Sequence, residues 1–346
     1  MRSVGAILLV SISGGACSTG GGGGITPPMD DTDDSPPAIV RFLGLWTLAS
    51  PIPQGVQEMH AAVLKGRIYI AGGIDENNLT TAVALRYDQR PDTWEQIADL
   101  PAARHHMPLA AVNDTLYAIG GLTTTGGGFV AEDNLWIYDE TTDSWQTRTA
   151  LPRPRGASTA GVVDGQIIVA GGYDENTQLI DSIAIYDPAS NSWRSGAPIP
   201  TQRDHLAGAV WEGIFYVVGG RRVAIETTLA TTEAYDITTD SWTTLPDMPT
   251  ARGGLGATAT DARIYALGGE PTVEMLRANE AYDITTGTWM LGPQLPTGRH
   301  GLAVAQLAGN VFAIGGGPVA GFAQTSVVEI FTPIAGTPRV PASRIP

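Results

Sequence analysis

"RHHMPLAAVNDTLYAIGG" (Arg104–Gly121) places two apolar runs around the polar pair Asn113-Asp114 and closes on two glycines. Apolar runs on either side of a tight Asn-Asp turn predict a β-hairpin buried on at least one face. The pattern returns along the chain. Glycine pairs close a hydrophobic run at Gly72-Gly73, Gly120-Gly121, Gly171-Gly172, Gly219-Gly220, Gly268-Gly269 and Gly315-Gly316, at spacings of 48, 51, 48, 49 and 47. A proline precedes each pair by 19 residues: Pro53, Pro101, Pro152, Pro200, Pro249 and Pro296. Tyr-Asp follows the first five pairs, at Tyr87, Tyr138, Tyr186, Tyr235 and Tyr282. Six residues past each of those Asp stands a tryptophan: Trp94, Trp145, Trp193, Trp242 and Trp289. Anchors at fixed offsets mark a repeat architecture, in which each unit buries its faces only against its neighbours.

Each copy reads as four short strands, A to D. Two-residue turns join A to B at Lys65-Gly66, Asn113-Asp114, Asp164-Gly165, Glu212-Gly213, Asp261-Ala262 and Gly309-Asn310. Most are the Asn, Asp and Gly pairs that tight hairpins prefer. Tyr-Asp ends the C strand and the tryptophan lies on D. Both aromatics are expected to pack rather than to form a site.

A period near 50 with Gly-Gly, Tyr-Asp and Trp resembles the kelch repeat, one blade of a β-propeller. The resemblance covers 39–334 and implies an all-β, six-bladed propeller with four antiparallel strands per blade. The sixth copy departs from it: Ile330-Phe331 stands for Tyr-Asp, and no tryptophan follows. Trp46, in "GLWTLASPIP", has no blade before it. An N-terminal D strand is therefore expected to complete the last blade and remove the free sheet edge. One domain is expected, where length alone would suggest about two.

Residues 1–16 read as a secretory signal, with Arg2 before the apolar run Val4–Ile12 and small residues leading to Cys17. The segment resembles a bacterial lipoprotein signal, which implies a lipidated Cys17 as the mature N-terminus. Gly14 departs from the leucine usual there, and ordinary cleavage after Ala16 is the alternative. Residues 17–38, rich in Gly, Asp and Pro, form a tether, and 335–346 a loose tail. The expected location is the bacterial cell envelope, lipid-anchored at the outer membrane or in the periplasm, or otherwise secreted.

A formal net charge of −15 argues against nucleic acid as a partner, since its phosphates would be repelled. Cys17 is the only cysteine, so no intrachain disulfide, cysteine metal cluster or redox pair can form. Kelch copper oxidases need a cysteine crosslinked to a tyrosine, and Cys17 lies outside the repeats. Phosphate-loop, zinc-protease and G-x-S-x-G motifs are missing from the sequence. No metal or cofactor is expected, and the chain is expected to be a monomer.

Three residues past each repeat proline stand Arg104, Arg155, Arg203, Arg252 and Arg299, with Val56 in the first copy. The next few positions hold all five histidines: His60, His105, His106, His205 and His300. In an up-and-down blade the D–A and B–C loops share one face, and the A strand is innermost. These side chains are thus expected to ring one mouth of the central channel, joined by Arg221 and Arg222 of "GGRR". Asp204, Glu58, Glu270, Asp174 and Tyr173 are placed to hydrogen-bond hydroxyls nearby. The functional reading is a cationic rim of Arg104, Arg155, Arg203, Arg221, Arg222, Arg252 and Arg299 for an anionic ligand. The alternative is that an arginine recurring in five blades binds backbone carbonyls or a neighbouring blade. His105, His205 and His300 fall in alternate copies and could converge on a metal, but no recognised ligand spacing accompanies them.

The expected function is a binding module that presents the D–A and B–C loop face to a protein or an anionic glycan. A second expectation comes from the resemblance. The N-acetylneuraminate epimerases (sialic acid mutarotases) are exported six-bladed kelch proteins. A likeness in repeat number and compartment implies an acid–base group and an arginine for the sugar carboxylate. A purely structural envelope role would need no site.

Overall fold

Six tight turns set the strand pairing. The computed structural model describes residues 40–271 and 275–334; the leader, Cys17, the tether and the tail lie outside them. In every A–B turn both central residues have positive φ, for example 50° and 58° at Asn113 and Asp114. This type I′ geometry matches the right-handed twist of the flanking strands. The sixth turn is Ala308-Gly309 (φ 52° and 79°), one residue before the expected Gly309-Asn310. Asn310 is needed on the B strand, where it pairs with Leu307.

The A strands are His60–Leu64, Leu109–Val112, Thr159–Val163, Ala207–Trp211, Gly256–Thr260 and Ala303–Leu307. Each leads an antiparallel four-stranded sheet, giving six blades. The last blade combines Ala303–Leu307, Asn310–Ile314 and Val328–Pro333 with the N-terminal strand Gly44–Ala49, which pairs with Val328–Pro333. The ring is closed as expected. Side chains of adjacent blades interlock in six apolar clusters, one at each blade interface, rather than in one central core.

The repeated anchors hold those interfaces. Each glycine pair brings the end of a B strand against the next blade's D–A loop. Gly73 N–H donates to Arg104 O at 2.7 Å, and the second glycine of every other pair does the same, up to Gly316 to Val56 O at 2.8 Å. A Cβ on Gly268 (φ +61°) would lie 2.4 Å from Arg299 O, so only glycine allows this approach. At the rim of the wheel each tyrosine faces its tryptophan across the C and D strands, with ring centroids 4.9 Å apart for Tyr87 and Trp94. The tryptophan Nε1–H donates to a carbonyl at the end of the preceding blade, as in Trp94 to Ser50 O at 3.0 Å. In the last blade Trp46 faces Phe331 at 5.1 Å, so Phe331, and not Ile330, takes the tyrosine's place.

Candidate functional site

Below each repeat proline the chain must turn from the outer D strand to the inner A strand. Five residues past the proline it passes through the left-handed region in every blade, at Glu58, His106, Ala157, His205, Gly254 and Gly301, with φ between 51° and 60°. Their peptides join head to tail. Glu58 N–H donates to Gly301 O (2.7 Å), His106 to Glu58 (2.8 Å), Ala157 to His106 (3.2 Å), His205 to Ala157 (2.9 Å), Gly254 to His205 (2.9 Å) and Gly301 to Gly254 (2.7 Å). Six hydrogen bonds thus close a backbone ring around the channel at the loop face. The D–A loops bridge to the B–C loops just outside it, at His105–Leu122, Asp204–Arg221 and His300–Gly317 among others. The expected shared face of these loops is therefore present.

The backbone of this ring repeats, but its side chains do not. Glu58, His106 and His205 converge, with ligating atoms all within 4.8 Å of one another. Glu58 Oε2 lies 2.9 Å from His106 Nε2, and His106 Nε2 lies 3.0 Å from His205 Nε2. Asp204, fully buried, pairs with His205 Nδ1 and also accepts Val223 N–H at 2.6 Å. His205 Nδ1–H donating to Asp204 leaves Nε2 as a lone pair facing the mouth. Arg221 reaches that nitrogen at 2.9 Å and Glu270 Oε1 at 2.6 Å. His300 adds Nε2 at 3.4 Å from Glu58 Oε1 and donates Nδ1–H to Gly317 O at 3.1 Å. His105 sits behind, its Nδ1 2.5 Å from His106 Nδ1 and its ring 4.5 Å from Phe129.

Burial sets the charge states. Burial alone would raise the Glu58 carboxyl, but His106, with His300 and His205, holds it well below its ordinary value. Asp204 is likewise held low against burial, by the His205 hydrogen bond. Burial, with Arg221 nearby, pushes His205 down to about 4, and burial takes His105 to about 2 and His60 to about 4. The mouth thus sets carboxylates and the neutral imidazoles of His205 and His105 beside the guanidinium of Arg221.

A cavity of about 380 Å³ opens above it, lined by Glu58, His106, His205, Arg221, Glu270, His300 and Tyr173, with Phe129, Val223, Ile225 and Phe322 at its rim. Below the ring the channel continues between small residues of the A strands, such as Ala61, Ala111, Ala160 and Gly208.

The structure separates the sequence-expected residues into two groups. His105, Asp204, His205, Arg221 and His300 come together at the mouth. The five recurring arginines are buried and engaged inside their own blades. Arg203 pairs with Glu233 (2.5 Å), Arg252 with Glu280 (2.6 Å) and Arg299 with Glu329 (2.9 Å), and each also donates to B-strand carbonyls. Arg155 donates to the carbonyls of Gly171 and Ser182. Arg104 binds Asn134 and lies 5.2 Å over the ring of Trp136. Arg222 is exposed on the hairpin of Arg221–Arg222 and Ala224–Thr228. A cationic rim built from recurring arginines is therefore not what the mouth contains; Arg221 is the guanidinium that lines it. Asp174 caps its own loop through the N–H groups of Asn176 and Gln178.

The sequence placed His106 at the mouth with the other histidines but gave it no distinct role, and it left out the apolar rim. The stretch Leu122–Asn134 reads as a Gly-rich loop but forms a hairpin, Leu122–Thr125 with Gly128–Ala131, that sets Phe129 against His105. Apolar residues at the tips of otherwise polar loops were the available signal.

The family model "KLHDC2/KLHL20/DRC7 Kelch-repeats domain" matches residues 46–196 and 109–316. Kelch-like protein 35 of Mus musculus is 25% identical over 142 residues, 41% of this chain and 23% of that protein. Kelch-like protein 33 of Homo sapiens is 31% identical over 137 residues, 39% of this chain and 25% of that protein. The matched stretch thus spans about a quarter of these relatives' own length. The solved structure of YjhT superposes with a TM-score of 0.73 at 16% identity, over 84% of this chain and 98% of that one, a likeness of fold. A kelch propeller is typically an interaction module. With repeats matched across most of its length and six blades closed into a ring, the chain belongs to the kelch-repeat family.

Proposed function

We propose that this propeller is a binding module that captures a partner at the face carrying the D–A and B–C loops. A polar group of the partner enters the mouth and an apolar part lies on the rim. One observation carries the reading. Of the ten large hydrophobic side chains exposed among the described residues, Leu79, Phe129, Val130, Val223, Val319 and Phe322, six in all, lie in B–C loops. Apolar side chains clustered around a recessed polar pocket mark a recognition surface rather than a scattered solvated one. Three carboxylates around one guanidinium favour a hydroxylated or cationic group over the anionic glycan that the arginine count suggests. A protein partner presenting a basic or hydroxylated side chain fits that mouth. Lipidation of Cys17 would hold the module at the cell envelope, and the mass of the mature N-terminal peptide distinguishes that route from cleavage after Ala16.

The test is a thermal shift of the purified chain against basic peptides, neutral sugars and acidic sugars. Capture at the mouth gives a concentration-dependent rise with a basic or neutral compound, lost in Glu58→Gln and in Phe129→Ser. No shift across the panel, or a shift unchanged in both variants, removes the reading.

A second reading, a mutarotase acting on an acidic sugar such as sialic acid, is favoured by the Asp204–His205 pair. That pair turns the Nε2 lone pair, where Arg221 sits at 2.9 Å, toward the cavity as a general base once a substrate carboxylate draws the guanidinium away. Anomer equilibration of the sugar followed by NMR decides it. A rate equal to that of buffer, at protein concentrations near the sugar's, rejects an enzyme of this kind.

A further inference from the structure

We propose that Glu58, His106 and His205 form a binding site for one divalent transition-metal ion of the zinc class, with a remaining coordination position open to the mouth. The three donors come from three blades and are carried on one rigid backbone ring. One carboxylate and two imidazoles are a donor set that zinc takes, leaving a fourth position for water or a ligand group. Zinc bonds of about 2.0–2.1 Å put neighbouring tetrahedral ligands about 3.3 Å apart. The Glu58–His106 and His106–His205 separations of 2.9 and 3.0 Å lie a few tenths of an ångström below that value, and the Glu58 and His205 atoms, within 4.8 Å of each other, reach it by side-chain rotation over about 1.5 Å at most.

The outer contacts are those a metal site requires. Asp204 takes His205 Nδ1–H, which turns the Nε2 lone pair inward. Ligation through His106 Nε2 moves that residue's proton to Nδ1, where His105 Nδ1 lies 2.5 Å away as acceptor. His105 Nε2, now buried without a hydrogen-bond partner, then carries the displaced proton. Without a metal, two imidazole nitrogens face each other at 3.0 Å, buried Asp204 and Glu270 share one arginine, Arg221, and Glu58 has only the imidazoles of His106 and His300 as partners. A divalent ion neutralises that excess. Arg221 is the opposing charge; on metal binding it keeps Glu270 and gives up His205 Nε2.

This site forms the floor of the mouth described under the proposed function, but it is titrated with metal alone, so the two readings fail separately. The full chain is stripped with chelator and Zn²⁺ is titrated in competition with a chromophoric chelator. The expected result is one ion per chain, with affinity falling by about 100-fold or more in His205→Gly and in His106→Gly. Glycine is chosen because Gly254 and Gly301 already hold the same backbone conformation. A single cooperative thermal transition retained in both variants excludes loss through misfolding. Zinc that binds no better than to buffer overturns the proposal on the unaltered protein, whatever the variants do. Binding that persists undiminished in both glycine variants overturns it equally.

Discussion

Two rings of residues lie two positions apart in the same loops and behave oppositely. In the first, arginine recurs in five blades and every copy is turned into its own blade. In the second, the backbone conformation recurs in all six blades while the side chains run Glu, His, Ala, His, Gly, Gly. The first ring is structure and the second is the candidate site. A repeated blade needs the same internal bond each time, so recurrence of a side chain reports the scaffold. A ligand meets all blades at once and needs different groups from each, so divergence at a backbone position that repeats reports the site.

The first ring even matches itself within each blade. The residue two before the C-strand tyrosine or its equivalent is Glu in blades four to six, where the arginine pairs with it. In blade two it is Trp136, under Arg104, and in blade one Leu85 accompanies Val56. Breaking one such pair is expected to give the largest effect. Arg252→Val strands Glu280 in the interior and costs about 3–5 kcal/mol by urea denaturation. Adding Glu280→Leu, which copies blade one, recovers at least half of it. Equal losses in the single and double variants would remove the arginine from the scaffold.

Next is the latch between blades. Gly268→Ala meets Arg299 O at 2.4 Å with φ at +61° and is expected to cost about 2–3 kcal/mol. Gly66→Ala has a similar φ of +74° but open space, and is expected to cost about 1 kcal/mol. Similar melting temperatures for the two would show that the approach to the next blade is not tight.

A third effect is pH-dependent. Tyr87, Tyr138 and Tyr235 donate their hydroxyls to Asp92, Asp143 and Asp240, which also accept N–H groups of Ser50, Ala98 and Ala197 in the preceding blade. Tyrosine hydrogen bonds chiefly lower Asp92 and Asp240, and the Ala98 N–H chiefly lowers Asp143, all from the ordinary 3.8. A lowered folded value means that the unfolded chain binds the proton more readily. The stabilisation is therefore complete above about pH 4 and is lost as pH falls through the folded values. Asp143→Asn, which copies Asn191 of blade three, is expected to flatten the acid limb of the stability curve while leaving neutral stability nearly unchanged. An identical acid limb in wild type and variant would rule these groups out.

A smaller loss of stability than in the first ring is expected in the second. His205→Gly relieves a left-handed residue but takes the imidazole from buried Asp204, which keeps the Val223 N–H and Arg221, a net cost of about 1–2 kcal/mol. The same variant is expected to weaken zinc binding by about 100-fold or more. A loss of several kcal/mol would place His205 in the scaffold with the arginines.

The repeat number, the four strands per blade, the closing N-terminal strand and the face to which the loops belong were all legible in the sequence. They follow from local rules: turn residues, alternation, and glycines or aromatics at fixed offsets. Pairing of Arg203, Arg252 and Arg299 with Glu233, Glu280 and Glu329 was also written there, as a covariation within each copy. Only the tertiary structure decided which polar residues meet. Glu58, His106 and His205 stand 48 and 99 residues apart in order along the chain and touch because closing the ring sets blades one, two and four around a single axis. The two loop hairpins that carry Phe129 and Val223 to the rim were decided the same way. Ring closure, a property of all six blades together, turned a scattered set of residues into a pocket.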